Sequence, residues 1–193
     1  MIRRSIIPLI ILLVSFDLGF SFLQYASHPL DGDLAHIVLP SKGYQAVLDH
    51  PFGLPVLFEG ERYAAPNRYF AHWFMGAYFK SVPHLLQSFF TPMESVYMAC
   101  AVLKILIHIL LLGLLSRFIG LAFSATKQQY WLIVLLLFPL FQANGYTHFG
   151  LIFSSITYTV FYALPLALLL LFFLPFYTSV SYTHLTLPTK RIV

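Results

Sequence analysis

The chain has 193 residues, 59% of them hydrophobic and 9% charged, with a mean hydropathy of +0.80. Soluble domains carry about 25% charged residues, so this composition excludes an ordinary soluble domain and points to an integral membrane protein. The formal charge is +4 from 11 basic and 7 acidic residues. Without Lys190 and Arg191, in a tail discussed below, 9 basic and 7 acidic residues leave +2, which gives no nucleic-acid signal. The single cysteine, Cys100, lies in an apolar run, so neither a disulfide framework nor a cysteine metal site is expected. No GxGxxG, P-loop or HExxH pattern is present.

Arg3 and Arg4 precede an apolar run from Ser5 to Leu23. About twenty apolar residues span a bilayer, and flanking arginines hold that end in the cytoplasm. A cleaved signal peptide is the rival reading. The run is long for one, carries Asp17 and lacks a small-x-small cleavage site. Residues 1–24 are therefore expected to form a cytoplasmic N-terminus and a first transmembrane helix.

Residues 25–94 read as an extracytoplasmic loop. Its first part, 25–68, holds the acids Asp31, Asp33, Asp49, Glu59 and Glu61, the bases Lys42, Arg62 and Arg68, and turn formers such as Pro51-Phe52-Gly53 and Pro66-Asn67. Loops this long are commonly functional or disordered, and its aromatic and apolar content argues against disorder. The second part, 69–90, is aromatic but contains Lys80, Pro83 and two histidines. It is expected to be an amphipathic helix at the membrane surface, broken near Pro83.

Three further spans are expected within residues 95–178: Ser95 to Phe118, Tyr130 to Gln142, and Leu151 to Phe176 with a kink at Pro165. An outer turn, Asn144 to His148, joins the last two. This arrangement puts Arg3, Arg4, Arg117 and Lys127 on one side, as the positive-inside rule requires. The expected fold is an all-α polytopic membrane protein with about four transmembrane helices and an interfacial helix. The expected location is a bacterial inner (plasma) membrane. The tail 179–193 is expected to be non-native. Its stretch VSYTHLTLPT, Val180 to Thr189, matches one reading frame of a transposase adapter used in sequencing libraries, so the native sequence is expected to be cut mid-gene near Thr178 and the chain to be the N-terminal fragment of a longer protein.

Several residues could carry chemistry. Asp31-Gly32-Asp33 offers alternate carboxylates at the membrane exit, suited to a divalent metal or to general-base work. The competing reading is a solvated turn built on Pro29-Leu30-Asp31-Gly32. Asp17 and Lys104 each lie roughly 10–14 Å below the outer end of their helices. Ionisable groups at that depth face protein or water, so a buried Asp17–Lys104 pair is expected. His108 lies four residues after Lys104 on the same helical face. It is expected either to relay protons or to bond a neighbouring helix. His28, His36, His50, His72 and His84 show no compelling ligand spacing, although His28 with Asp31 and Asp33 could form a mixed metal shell. Arg68 and Lys80 could hold a lipid-linked phosphate.

A cytoplasmic N-terminus, one span and an outer loop opening on acids resemble the GT-C class of membrane glycosyltransferases. Within residues 5–122, Asp31-Gly32-Asp33 resembles that class's first-loop acidic motif. Ala71-His72-Trp73-Phe74 through Lys80, then Thr91 to Ser95, then Leu114 to Gly120, follow in a similar order. Two departures stand out: His72 is not followed by prolines, and the acids are not adjacent. The resemblance implies sugar transfer from a polyprenyl-phosphate donor to an extracytoplasmic acceptor. One of Asp31 and Asp33 would be the base, and the other would orient the acceptor or bind a divalent metal. Arg68, His72 and Lys80 would bind substrate, with segment 69–90 bordering a lipid groove. Two rival classes are a transporter built around Asp17, Lys104 and His108, and a non-catalytic subunit of a cell-envelope assembly system.

Overall fold

A computed structural model describes residues 6–63, 68–142 and 151–185, with side chains through residue 178. The described residues form helices joined by turns, with no strand among them. Three helical stretches are long and apolar enough to cross a bilayer. These are α1 (Ile6–Ser27), α6 (Pro92–Ala122) and the stretch Ile156–Thr178, so the protein is an all-α polytopic membrane protein.

Helix α6 is the axis of the bundle. At 31 residues it is about 46 Å long, well beyond the ~30 Å hydrocarbon core. It starts on a capping box: Thr91 N–H donates to Glu94 Oε2 at 2.9 Å, and Glu94 N–H donates to Thr91 Oγ1 at 3.4 Å. Pro92 sits at the first helical position, where its missing N–H costs nothing. Helix α6 packs against α1, α5 (Tyr69–Leu86), α7 (Lys127–Leu136) and α10 (Leu164–Leu185). Most of its burial falls in one stripe that includes Ala99, Lys104, His108 and Leu111.

The span expected at Tyr130 to Gln142 is not one continuous helix. Helix α7 ends at Leu136, a turn follows, and α8 covers only Pro139–Gln142. Ten residues make about 15 Å of helix, half of what a span needs. Pro139 explains the break, because it lacks an N–H and its ring clashes with the carbonyl four residues back. The expected outer turn, Asn144 to His148, lies outside the described residues, as do Arg3, Arg4, Pro66-Asn67 and residues 186–193 of the tail.

The last span begins as α9 (Ile156–Tyr158) and passes through a π turn, Thr159–Ala163, before α10. The Leu164 N–H reaches back five residues to the Thr159 carbonyl. Pro165 cannot supply the next helical donor. The irregularity expected at Pro165 is thus a widened turn just before it, a feature common at functional sites.

The segment between α1 and α6 folds into short helices. These are α2 (Gly32–Val38), α3 (Lys42–Asp49), α4 (Leu54–Phe58) and then α5. Helix α5 buries His72, Met75, Gly76, Phe79 and Pro83, a stripe at helical spacing, and exposes Phe70, Trp73 and Lys80. It runs through Pro83 to Leu86, so the break comes one turn later than expected. α5 is not among the stretches apolar enough to span.

Candidate functional site

Asp31 caps α2, its Oδ1 accepting the Leu34 N–H at 2.9 Å. The same carboxylate reaches across the molecule. It accepts the Ser155 hydroxyl at 2.6 Å, the Thr157 N–H at 3.0 Å and the Thr157 hydroxyl at 2.7 Å. Ser155 is itself the cap of α9, accepting the Tyr158 N–H at 3.3 Å. Two helix starts from distant parts of the chain are thus clamped through one side chain. Burial alone would raise the Asp31 pKa, but the donors from Ser155, Thr157 and Leu34 outweigh it and hold the carboxyl below its usual value.

Asp33, two residues on in the first turn of the same helix, is exposed. It lines a polar cup of about 270 Å³ with His36, Ser41, Tyr44, Arg68 and His72. No described residue hydrogen-bonds its carboxylate. Phe161, on the π turn, closes the cup from the last span. The Arg68 guanidinium lies over the Phe161 ring at 5.3 Å, and the His72 ring stacks on the same ring at 5.7 Å. The Tyr44 ring lies 5.9 Å from that of His72. Burial, and then the neighbouring Arg68 cation, lower the His72 pKa, so the imidazole is neutral at neutral pH.

Arg68 and Phe161 also belong to a second cavity. It is an apolar groove of about 820 Å³ between α5 and the last span, lined by Phe70, Trp73, Phe74 and Leu168 among others. Cup and groove therefore share a cationic side chain. An amphiphile with its chain in the groove would bring its head group to Arg68 and the open carboxylate of Asp33.

Of the residues expected to bind substrate, Arg68 and His72 come together with Asp33. Lys80 does not line the cup; it is exposed further along α5. Asp31 and Asp33 do not act as a carboxylate pair, since one is committed to Ser155 and Thr157 and the other faces the cup. Among the described residues no three His, Cys, Asp or Glu side chains converge as a metal site, so the mixed shell of His28, Asp31 and Asp33 is not assembled.

The expected Asp17–Lys104 pair is not formed. Gln142 Nε2 donates to Asp17 Oδ1 at 2.9 Å and to Ser21 at 2.8 Å, while Asp17 Oδ2 has no hydrogen-bond partner among the described residues. Lys104 extends instead to the Ser154 carbonyl and to His28 Nδ1 at 3.3 Å. The flexible lysine stem lets its head leave the apolar middle of the bundle. His108 bonds the Tyr25 hydroxyl at 3.0 Å through Nδ1 and stacks on Phe141 at 4.1 Å, and its Nε2 has no partner among the described residues. This is the expected bond to a neighbouring helix. These groups form a polar seam that runs along α1 through Asp17, Ser21 and Tyr25 at helical spacing and on to His28 just past its end.

Ser155, Thr157, Tyr44 and Phe161 carry much of this geometry and were not singled out from the sequence. Ser154-Ser155 before Ile156 is a cap signal that could have been read. Nothing in the sequence pairs it with Asp31. Comparisons with protein-family models, curated proteins and solved structures give no match.

Proposed function

We propose that this protein is a membrane glycosyltransferase of the GT-C kind, transferring a sugar from a polyprenyl-phosphate donor to an acceptor on the extracytoplasmic side of a bacterial inner membrane, with its N-terminus in the cytoplasm. The observation that carries this reading is the sharing of Arg68 between the apolar groove and the cup that holds Asp33. The groove suits a polyprenyl chain. Arg68 suits the phosphate, because a guanidinium matches phosphate oxygens in charge and geometry.

Asp33 is the base in this reading. Its carboxylate takes the proton of an acceptor hydroxyl, the freed oxygen attacks the anomeric carbon, and the bond to the lipid phosphate breaks with the electron pair leaving on phosphate. Arg68 stabilises the charge that develops on that phosphate. Asp31 is unsuited to the role, since a carboxylate held low by four donors is a weak base. Its part is to hold the start of the last span, and with it Phe161, against the cup.

The test is binding followed by turnover. Native mass spectrometry of the purified protein should show a polyprenyl phosphate bound to the wild type, with affinity falling about tenfold in Arg68→Gln. Transfer from a panel of polyprenyl-phosphate sugars should fall by about 10²–10⁴ in Asp33→Asn with membrane abundance unchanged. Wild-type transfer in Asp33→Asn would remove the assignment. The polar seam supports a second reading, a transporter, because Asp17 and His108 each keep a polar atom with no partner among the described residues inside the bundle. Liposome flux that depends on Asp17 and His108 but not on Asp33 would favour it.

A further inference from the structure

Helix α4 and the turn before it are largely uncovered. Phe52 is 88% exposed, Leu57 75% and Phe58 81%, with Leu54 and Val56 exposed beside them. α4 itself buries no residue. Five exposed apolar side chains this close together in sequence mark a candidate interaction surface.

The local sequence builds the patch deliberately. Gly53 and Gly60 both adopt positive φ, +67°, a conformation that L side chains rarely take. They bracket α4, and Pro55 in its first turn fixes the helix start. The stretch Pro51 to Phe58 carries no charge. His50 precedes it, and Glu59, Glu61 and Arg62 follow it. An uncharged, phenylalanine-bearing turn between ionisable flanks has the polarity profile of a segment seated at a membrane–water boundary.

We propose that α4 and Phe52 dock into the acyl region of the same leaflet that receives the Asp31 end of the bundle, as a second membrane contact outside the spanning helices. Lipid suits this surface better than protein. Five side chains on about one helical turn fall short of the ~800 Å² that each partner contributes to a stable protein interface. Acyl chains need no shape complementarity, and the bilayer is already the neighbour of this chain. The inference does not depend on the glycosyltransferase reading. Its consequence is to tie α3 and α4 to the membrane plane, which fixes Tyr44 over the cup.

The experiment replaces Trp73 and Trp131, the chain's two tryptophans, with Phe, then introduces Phe52→Trp or Phe58→Trp singly. Each variant is reconstituted in phosphatidylcholine vesicles with and without brominated acyl chains. Phe16→Trp, on the exposed face of the first span, gives the membrane signal, and Lys42→Trp, exposed on α3, gives the aqueous one. Bromolipid should reduce emission from both test positions roughly twofold or more, as for Phe16→Trp. Emission unaffected by bromolipid at both positions, as for Lys42→Trp, overturns the proposal. So does protection that depends on protein concentration, which would mean that a second copy covers the patch. Two positions guard against one variant misfolding, and size-exclusion chromatography checks each.

Discussion

Asp31 and Asp33 stand on the first turn of one short helix, yet they belong to different regions. The Asp31 region is closed: four donors saturate its carboxylate and join two helix starts. The Asp33 region is open, with the carboxylate facing a cavity beside Arg68 and a neutral His72. Carboxylates two residues apart can divide between architecture and chemistry when a helix sends them to different neighbours. The first is expected to matter for stability and the second for activity.

The strongest test of that division is Asp33→Asn. Transfer should fall by about 10²–10⁴, or ~3–5 kcal/mol in the barrier, while thermal unfolding in detergent stays within ~0.5 kcal/mol of wild type. A large loss of stability would erase the contrast between the two regions.

Asp31→Ala should show the reverse. Hydrogen bonds to a charged group contribute about 1.5–3 kcal/mol each, and Asp31 is half-buried, so a net loss of roughly 2–4 kcal/mol is expected. Denaturation measured by circular dichroism would check it. The pH dependence sharpens the point. The folded Asp31 pKa is depressed, so its contribution is fully present above the unfolded value of about 3.9 and is lost as pH falls through the folded value. Wild-type stability should therefore decline with acid below about pH 4, and the part due to Asp31 should vanish in Asp31→Asn.

A smaller effect is expected in the polar seam. Tyr25→Phe and His108→Phe should each cost about 1 kcal/mol and couple by a similar amount in a double-mutant cycle, because each removes the same bond. Zero coupling would mean that the hydroxyl and the imidazole act independently. The smallest effect is expected from Lys80→Gln. This residue lies outside the cup, so lipid-phosphate binding should change less than twofold, or ~0.4 kcal/mol. A tenfold loss would bring Lys80 back into the site.

Much of the architecture was legible along the chain. Long apolar runs predict α1, α6 and the last span because a bilayer selects for length and hydropathy, which are local properties. The Thr91 cap of α6, not singled out from the sequence, is set in the same local way. The region around Pro139 was harder. Its hydropathy suits a span, but the missing N–H divides it into pieces too short to cross. The Asp17–Lys104 pairing failed for a different reason. Equal depth along two helices says nothing about rotation about their axes, and Gln142 and Ser154 offered both side chains nearer partners.

The sequence by itself determined that this is a helical membrane protein, where three of its spans lie, and that Asp31, Asp33, Arg68 and His72 deserved notice. Only the tertiary structure decided their roles. It delivered Ser155 and Thr157 to Asp31 across 124 and 126 residues of chain, and it placed Phe161 against Arg68 and His72. Hydropathy and helix caps act within a few residues and can be read in order. Hydrogen-bond saturation and the walls of a cavity depend on which helix faces meet, and that is settled by packing the whole bundle.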